Sequence, residues 1–488
     1  MSEDASVNVG VAEWPSPARS FLEVRRMQTK LHRWAVDDHR RLFDDLYNLV
    51  YDPAFLTIAW ERVAGNEGAK TAGVDKVTVA KIVADVGVEA YLRGIRDLLK
   101  TQMFRPVPVR QVMIPKKSGK LRSLGIPVVT DRVVQAALKL VLEPIFEADF
   151  QPCSYGFRPN RRAQDAISEV HHFATKSYGW VLEADIEACF DNIDHAALLE
   201  RIRCRIKDKR ILTLVKAFLH SGVLTTTGML TETKTGTPQG GIISPLLANI
   251  ALSVLDDYFM TQWRQEMGTR QQRAYRCRHH LANWRLVRYA DDFVIVVKGS
   301  QADAEQLLCE SADVLAPMGL MLSSEKTRVT NIDEGFDFLG FNVRRMMKPG
   351  TRKRYVYTRP SGAAIAAVKQ RVKTLTYRST RRLPDVFLME RIGMVLRGWA
   401  NYFRYAVAKT IFAAIDYYAW RRITNWLRKK HQIGWPAVRR RYCLPGTWQL
   451  VCDGRRFRGA ASVPVTRYRY RGYLIPSPWD IGQSVAPG

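Results

Sequence analysis

The pattern of apolar and polar positions divides the chain into a mixed α/β body and a helical, basic final third. Residues 1–20 are small and polar with prolines, as in a loose terminus. From Phe21 to about Ala64 the period is helical, with Leu42, Phe43, Leu46, Leu49 and Val50 recurring at threes and fours. Gly65–Val79 is a glycine-broken loop, and Val88–Lys100 is helical again. Val107, Val109, Val112 and Ile114, then Leu121–Ile126, flank the turn Lys116-Lys117-Ser118-Gly119-Lys120 and predict a β-hairpin with a cationic tip. Asp131–Phe146 predicts a strong helix, with Asp131 as its cap and Val134, Leu138, Val141 and Leu142 as its apolar stripe.

Trp180–Ala184 is a short apolar run closed by Asp185, the pattern of a buried strand. Helices are predicted at Ala163–Thr175, Ala196–Arg205, Arg210–His220, Ile242–Tyr258 and Ala302–Met318. Leu286–Val297 predicts a hairpin with two acids at its bend, Val329 opens another strand, and Phe336–Asn342 is a tight apolar turn. Arg264–Arg285 is polar and basic, as expected of a surface loop. Ala363–Tyr377, Pro384–Ala406 and Phe412–His431 predict three basic amphipathic helices, and Trp435–Gly488 is rich in Arg, Tyr, Gly and Pro.

Length and charge sharpen this picture. At 488 residues the chain is long enough for two to four domains. With 47% hydrophobic and 25% charged residues it is not a disordered protein. Lys and Arg number 75 against 47 Asp and Glu, a net +28, which calls for a polyanionic partner such as nucleic acid. The excess is local: Phe341–Gly488 holds 31 Lys/Arg and 5 Asp/Glu. The seven cysteines, Cys153, Cys189, Cys204, Cys277, Cys309, Cys443 and Cys452, have no C-x-x-C spacing, which argues against a zinc ribbon or a disulfide framework. The first 30 residues lack an apolar signal core, and no apolar run is long enough to span a membrane.

The chemistry concentrates in carboxylates. Asp291 and Asp292 sit between apolar runs, where charge is costly unless neutralised. Adjacent acids at a hairpin bend are common, but Asp185 closes a second apolar strand. Two such strand ends in one antiparallel sheet would bring three carboxylates together, a set able to hold two Mg²⁺ for phosphoryl transfer.

At these residues the chain resembles reverse transcriptases. Tyr289-Ala290-Asp291-Asp292 is similar to their Y-A-D-D box. Thr237–Gly241 with Ser244-Pro245, Val181–Asp194 and Ser154–Arg158 resemble further boxes in the family's order. Gly73-Val74-Asp75, Ile114–Pro127 and Leu396–Tyr405 resemble one branch, the bacterial group II intron-encoded reverse transcriptase/maturases, over roughly Leu42 to His431.

The resemblance implies roles. Asp185, Asp291 and Asp292 would be catalytic and bind two Mg²⁺, with the backbone carbonyl of Ile186 as a further ligand. Phe190, otherwise an ordinary core phenylalanine, would exclude a 2′-hydroxyl. Lys116 and Arg122 would hold the dNTP triphosphate, and Gln239 would lie near the nascent base pair. Lys326 would lie near the departing pyrophosphate, and Phe338-Leu339-Gly340 would hold the primer 3′ end. Arg397 and Arg404, interleaved with Trp399, Tyr402, Phe403 and Tyr405, would contact template and primer. Asp191 and Asp194 read instead as caps of the following helix. Glu183 is expected to point to the opposite face from its strand neighbours.

The expected fold is therefore α/β, a right-hand polymerase with an antiparallel sheet in fingers and palm and an α-helical thumb. The divisions are an N-terminal extension at 1–70, fingers and palm at 71–345, a thumb/maturase (X) domain at 346–434, and a basic nucleic-acid-binding segment at 435–488. The implied function is RNA-directed DNA synthesis from dNTPs, joined to splicing help and target-primed mobility of a group II intron. Its partners would be intron RNA, an RNA template with DNA primer, and target DNA, in the bacterial cytoplasm near the nucleoid and away from any membrane. Cys443 and Cys452 lack the spacing of the nuclease domain that many such proteins carry, so none is expected. A defence- or CRISPR-associated reverse transcriptase and a non-catalytic RNA-binding splicing factor are the alternatives.

Overall fold

The computed structural model describes residues 14–115, 121–225, 229–231, 235–237, 240–472 and 474–480. Ser16 opens the first helix, Pro17–Asp37, by accepting a hydrogen bond from the Arg19 backbone N–H. The helical period expected to run on to Ala64 is interrupted. After Asp37 the chain leaves the helix, turns again only at Tyr47–Val50, and restarts at Pro53–Ala64 beneath an Asp52 cap. Tertiary pairing causes the break. The Phe43 carbonyl accepts from Lys207 N at 2.7 Å, and Asp208 accepts from the Leu46 and Tyr47 N–H groups at 2.9 Å.

β1 (Val109–Pro115) and β2 (Leu121–Ile126) form the expected antiparallel hairpin, its basic tip outside the described residues. The helix Val129–Glu147 follows, buried on nearly all sides and packed on the helices Pro53–Ala64 and Pro17–Asp37. Asp131 does not cap this helix. The cap position is Val128, and Asp131 lies in the first turn, buried, accepting from Val107 N at 3.1 Å.

A central sheet is built from β3 (Trp180–Asp185), β6 (Asn283–Tyr289), β7 (Asp292–Lys298) and β8 (Arg328–Asn331), in the order β6-β7-β3-β8 and antiparallel throughout. β4 (Val223–Leu224) and β5 (Leu230–Thr231) extend the β1–β2 hairpin instead. Helices Ala163–Ala174, Ser244–Gln262 and Gln301–Leu315 pack on the central sheet, which is why β6 and β7 are buried along most of their length. The segment expected as the loop Arg264–Arg285 is largely helical. A π turn at Trp263–Met267 and the helix Arg270–Arg278 anchor it through buried Trp263 and Met267. Arg285 is interior, its Nε 2.6 Å from Glu169.

β9 (Phe336–Phe338), β10 (Phe341–Met347) and β11 (Arg354–Pro360) form a three-stranded sheet that leads into the helices Gly362–Leu375, Asp385–Phe403 and Lys409–His431. An α/β body followed by three helices is the right-hand arrangement expected from the sequence. The basic segment after Trp435 folds back onto the body. Arg471 pairs with Asp165 at 2.7 Å, and Trp479 is buried against His32 and Gln28 of the first helix. All seven cysteines are free. No helix among the described residues is long and apolar enough to cross a membrane.

Candidate active site

Asp185 and Asp292 are direct partners in the β3–β7 register, so their side chains leave the same face of the sheet. Tyr289 pairs with Asp292, leaving Ala290 and Asp291 as the two-residue turn between β6 and β7. Ala290 takes a φ of 58°, a conformation where glycine is usual. Burial, with the charges of Asp185 and Asp291 added, raises the Asp292 carboxyl to about 7. Burial also raises Asp291, reinforced by Asp185 and opposed by Arg122 and Lys326. The Lys326 ammonium forms an ion pair with Asp185, and that hydrogen bond raises its pKa.

The turn rests on a buried polar network. The Ser154–Arg158 segment docks on the edge of β6 through Tyr155 N to the Arg288 carbonyl and Arg288 N to the Cys153 carbonyl, both 2.9 Å. Gly156 lies against the Tyr289–Ala290 peptide, and a Cβ there would overlap the Ala290 nitrogen. The fully buried Arg288 guanidinium is ion-paired with the equally buried Asp256. It also donates to the Ala290 carbonyl at 2.8 Å, Ser154 Oγ at 2.8 Å and Asn249 Oδ1 at 3.1 Å. Asn249 in turn donates to the Gly156 carbonyl at 2.9 Å. This network is not evident from local pattern. Its signal was an arginine inside an apolar strand, a group that must find partners when buried.

Of the other predicted residues, Arg122 stands on β2 within electrostatic reach of Asp291. Lys116 and Gln239 lie outside the described residues. Phe190 is buried, edge-on to Phe157 at 6.4 Å, and its carbonyl accepts from Thr237 N at 2.6 Å. Gly236, with a φ of 80°, packs on the Phe190–Asp191 backbone where a Cβ has no room, so the loop carrying Thr237 runs beside Phe190. Asp194 caps the helix His195–Arg203, accepting from Ala197 N at 2.8 Å, whereas Asp191 does not cap it and lies within the short helix Cys189–Asn192. Ile186 lies opposite Leu322 in an antiparallel bridge made by Ser323 N–H to the Asp185 carbonyl at 2.8 Å and Glu187 N–H to the Met321 carbonyl at 2.9 Å. Glu183 meets Arg328 at 2.8 Å.

Phe338 is buried, and Leu339 and Gly340 form the turn from β9 to β10. The Tyr402 hydroxyl donates to the Leu339 carbonyl at 2.9 Å, which ties this turn to the helix Asp385–Phe403. Arg397 is not gathered with the aspartates: it donates to the Arg458 carbonyl at 2.8 Å. Arg404 stacks on Tyr405 at 5.5 Å, and its carbonyl accepts from Thr466 N at 2.9 Å.

Among the described residues no three His, Cys, Asp or Glu side chains converge as a ready-made metal cage. The donor set nevertheless fits Mg²⁺. This ion is typically held by one or two carboxylates together with water and substrate phosphates, rather than by an all-protein shell. Two cross-strand aspartates and a third in the adjoining turn supply hard oxygen donors beside the cationic Lys326 and Arg122.

The reverse transcriptase (RNA-dependent DNA polymerase) family matches residues 114–343, and the group II intron maturase-specific domain matches residues 365–443. Protein YkfC of Escherichia coli is 36% identical over 362 residues, covering 70% of this chain and 93% of its own length. The chain belongs to the group II intron reverse transcriptase/maturase family. The group II intron-encoded protein LtrA of Lactococcus lactis is 34% identical, covering 64% of this chain and 58% of LtrA. A putative COX1/OXI3 intron 2 protein of Saccharomyces cerevisiae is 28% identical, covering 68% of this chain and 43% of the yeast protein. The three aspartates, the Arg288 network and Phe190 all fall within the reverse transcriptase match, whereas Arg397 and Arg404 fall within the maturase match.

Proposed function

We propose that this reverse transcriptase/maturase copies RNA into DNA at Asp185, Asp291 and Asp292 and binds its own group II intron RNA to assist splicing and target-primed mobility. The pairing of Asp185 with Asp292 across β3 and β7, with Asp291 in the adjoining turn, is the observation that carries this reading. The three carboxylates, with the Ile186 carbonyl, would hold two Mg²⁺, whose chemistry is to activate a primer 3′-hydroxyl and stabilise leaving pyrophosphate. Lys326 neutralises Asp185 and stands ready to meet phosphate charge. Arg122 and Lys116 grip the triphosphate, the guanidinium offering a two-pronged fork. Phe190 closes the space a ribose 2′-hydroxyl would need, Gln239 lies against the nascent pair, and the Phe338–Gly340 turn supports the primer end. Fingers and palm occupy 71–345 and the thumb 346–434, with target DNA meeting the basic residues beyond.

The test is dNTP incorporation by the full chain on an RNA template annealed to a DNA primer with Mg²⁺, beside Asp291→Ala. Incorporation by the wild type and none by the variant is expected. No incorporation by folded, RNA-binding wild type overturns the polymerase in favour of a splicing factor without catalysis.

A further inference from the structure

The helix Lys409–His431 carries a set of rings that the polymerase site does not use. Tyr417 and Trp420, nearly one turn apart, have ring planes within 8° and centroids 6.4 Å apart. Trp435, at the start of the helix Trp435–Tyr442, is also near-parallel to Trp420, at 5.9 Å and 15°. Trp448 meets Trp420 edge-on at 5.6 Å, and its carbonyl accepts the Trp420 indole N–H at 2.9 Å. Guanidinium groups accompany the rings: Arg428 over Trp435 at 4.6 Å, Arg439 over Trp448 at 4.7 Å and Arg421 near Tyr417 at 6.0 Å. The set is open to solvent, with Tyr417 62%, Trp448 52% and Trp435 37% exposed. The neighbouring acid, Asp416, is turned away, accepting from the Ala460 and Ala461 N–H groups at 2.6 and 2.8 Å.

Large rings held in water by a rigid helix are costly unless something covers them. Here the Trp420 indole N–H is already satisfied, so what remains to be used is the solvent-exposed part of the Tyr417, Trp435 and Trp448 rings, beside the arginines that lie over them. Parallel aromatic faces interspersed with arginines match one chemistry closely, that of unpaired bases linked by phosphates. A paired helix hides its base faces and has no use for the rings. An acidic protein would meet the arginines and leave the parallel rings uncovered.

We propose that Tyr417, Trp435 and Trp448, organised by Trp420 and flanked by Arg421, Arg428 and Arg439, form a stacking site for an unpaired segment of RNA. The inference rests on the RNA-binding reading above and deepens it by naming where unpaired bases sit. The test uses the full chain and a labelled, unstructured RNA of about 12 nucleotides, with an RNA duplex and a single-stranded DNA of the same sequence alongside. Tyr417→Ala/Trp435→Ala should weaken single-stranded RNA binding by about tenfold or more. Duplex affinity and primer-extension rate should stay at wild-type levels. The salt dependence should also keep its slope, since no charge is removed, whereas Arg421→Gln/Arg439→Gln should flatten it. Unchanged single-strand affinity in the aromatic variant overturns the site. So does a loss confined to DNA. Wild type that binds no RNA at all overturns the RNA-binding reading on which the site rests. Should the double variant fail to fold, Tyr417→Ala alone, at the most exposed ring, decides by the same measurements.

Discussion

Arg288 and Asp256 form a fully buried ion pair directly behind the turn that carries Asp291. The same guanidinium holds the Ala290 carbonyl and Ser154, so one side chain links the β6 strand, the Ser154–Arg158 segment and the turn. Removing one partner strands a buried charge. Asp256→Asn or Arg288→Met should therefore cost on the order of 3–5 kcal/mol. The apolar pair Arg288→Met/Asp256→Leu should regain much of that stability without regaining DNA synthesis, because the Ala290 carbonyl still has no donor. Thermal unfolding and primer extension on the three variants check this. Full activity in the double variant would show that the network serves stability alone.

Gly156→Ala tests the same turn from the other side. The added Cβ would overlap the Ala290 nitrogen, so either the Ser154–Arg158 segment or the turn must move. A stability loss of about 1–3 kcal/mol is expected, with a larger proportional loss of incorporation. A variant as stable and active as wild type would refute the close contact.

Lys326 is largely exposed although it pairs with Asp185. Lys326→Met should change stability by less than about 1 kcal/mol. It should slow single-turnover incorporation without weakening binding of the template–primer. Weakened binding at an unchanged rate would assign Lys326 to the nucleic acid instead.

Phe190 is buried at the edge of the site and packed edge-on against Phe157. Phe190→Val opens space where a 2′-hydroxyl would lie. The ratio of kcat/KM for dNTP over rNTP should fall by about tenfold or more. An unchanged ratio with lowered stability would make Phe190 a core residue only.

Asp131 gives the fold a pH dependence of its own. Burial raises its carboxyl from 3.8 to about 7, against the opposing hydrogen bond from Val107. The folded state therefore holds the proton more tightly than the unfolded one. The stabilisation this provides is complete below about pH 4 and is lost as pH rises through 7. Asp131→Asn keeps an acceptor for Val107 without the charge. Its advantage over wild type should grow between pH 5 and pH 8, by up to about 4 kcal/mol over the full titration. Denaturant unfolding at several pH values reads this directly, and a pH-independent difference would contradict it.

Several elements were legible because their signals are local. Val88–Lys100, the β6–β7 hairpin and the three basic helices follow from period, turn residues and charge, which neighbouring positions supply by themselves. The aspartates were legible for a similar reason, since acids ending apolar strands violate the local pattern. Other features depend on distant partners. Phe43 leaves a helical period to pair near Ile206, and Asp131 bonds Val107 instead of capping its helix. Arg264–Arg285 looks like a loop by polarity, yet Trp263 and Met267 anchor it to the core.

The sequence by itself determined many of the helices and strands, the three acids at the ends of apolar strands and the uneven charge, all of which are written in neighbouring residues. Only the tertiary structure decided that Asp185 faces Asp292, that Arg288 reaches Asp256 and Ala290, and that the basic C-terminal segment returns to the first helix through Trp479. Register and burial are set by side chains far apart in the chain, where a charge or a ring is stable only against its particular partner.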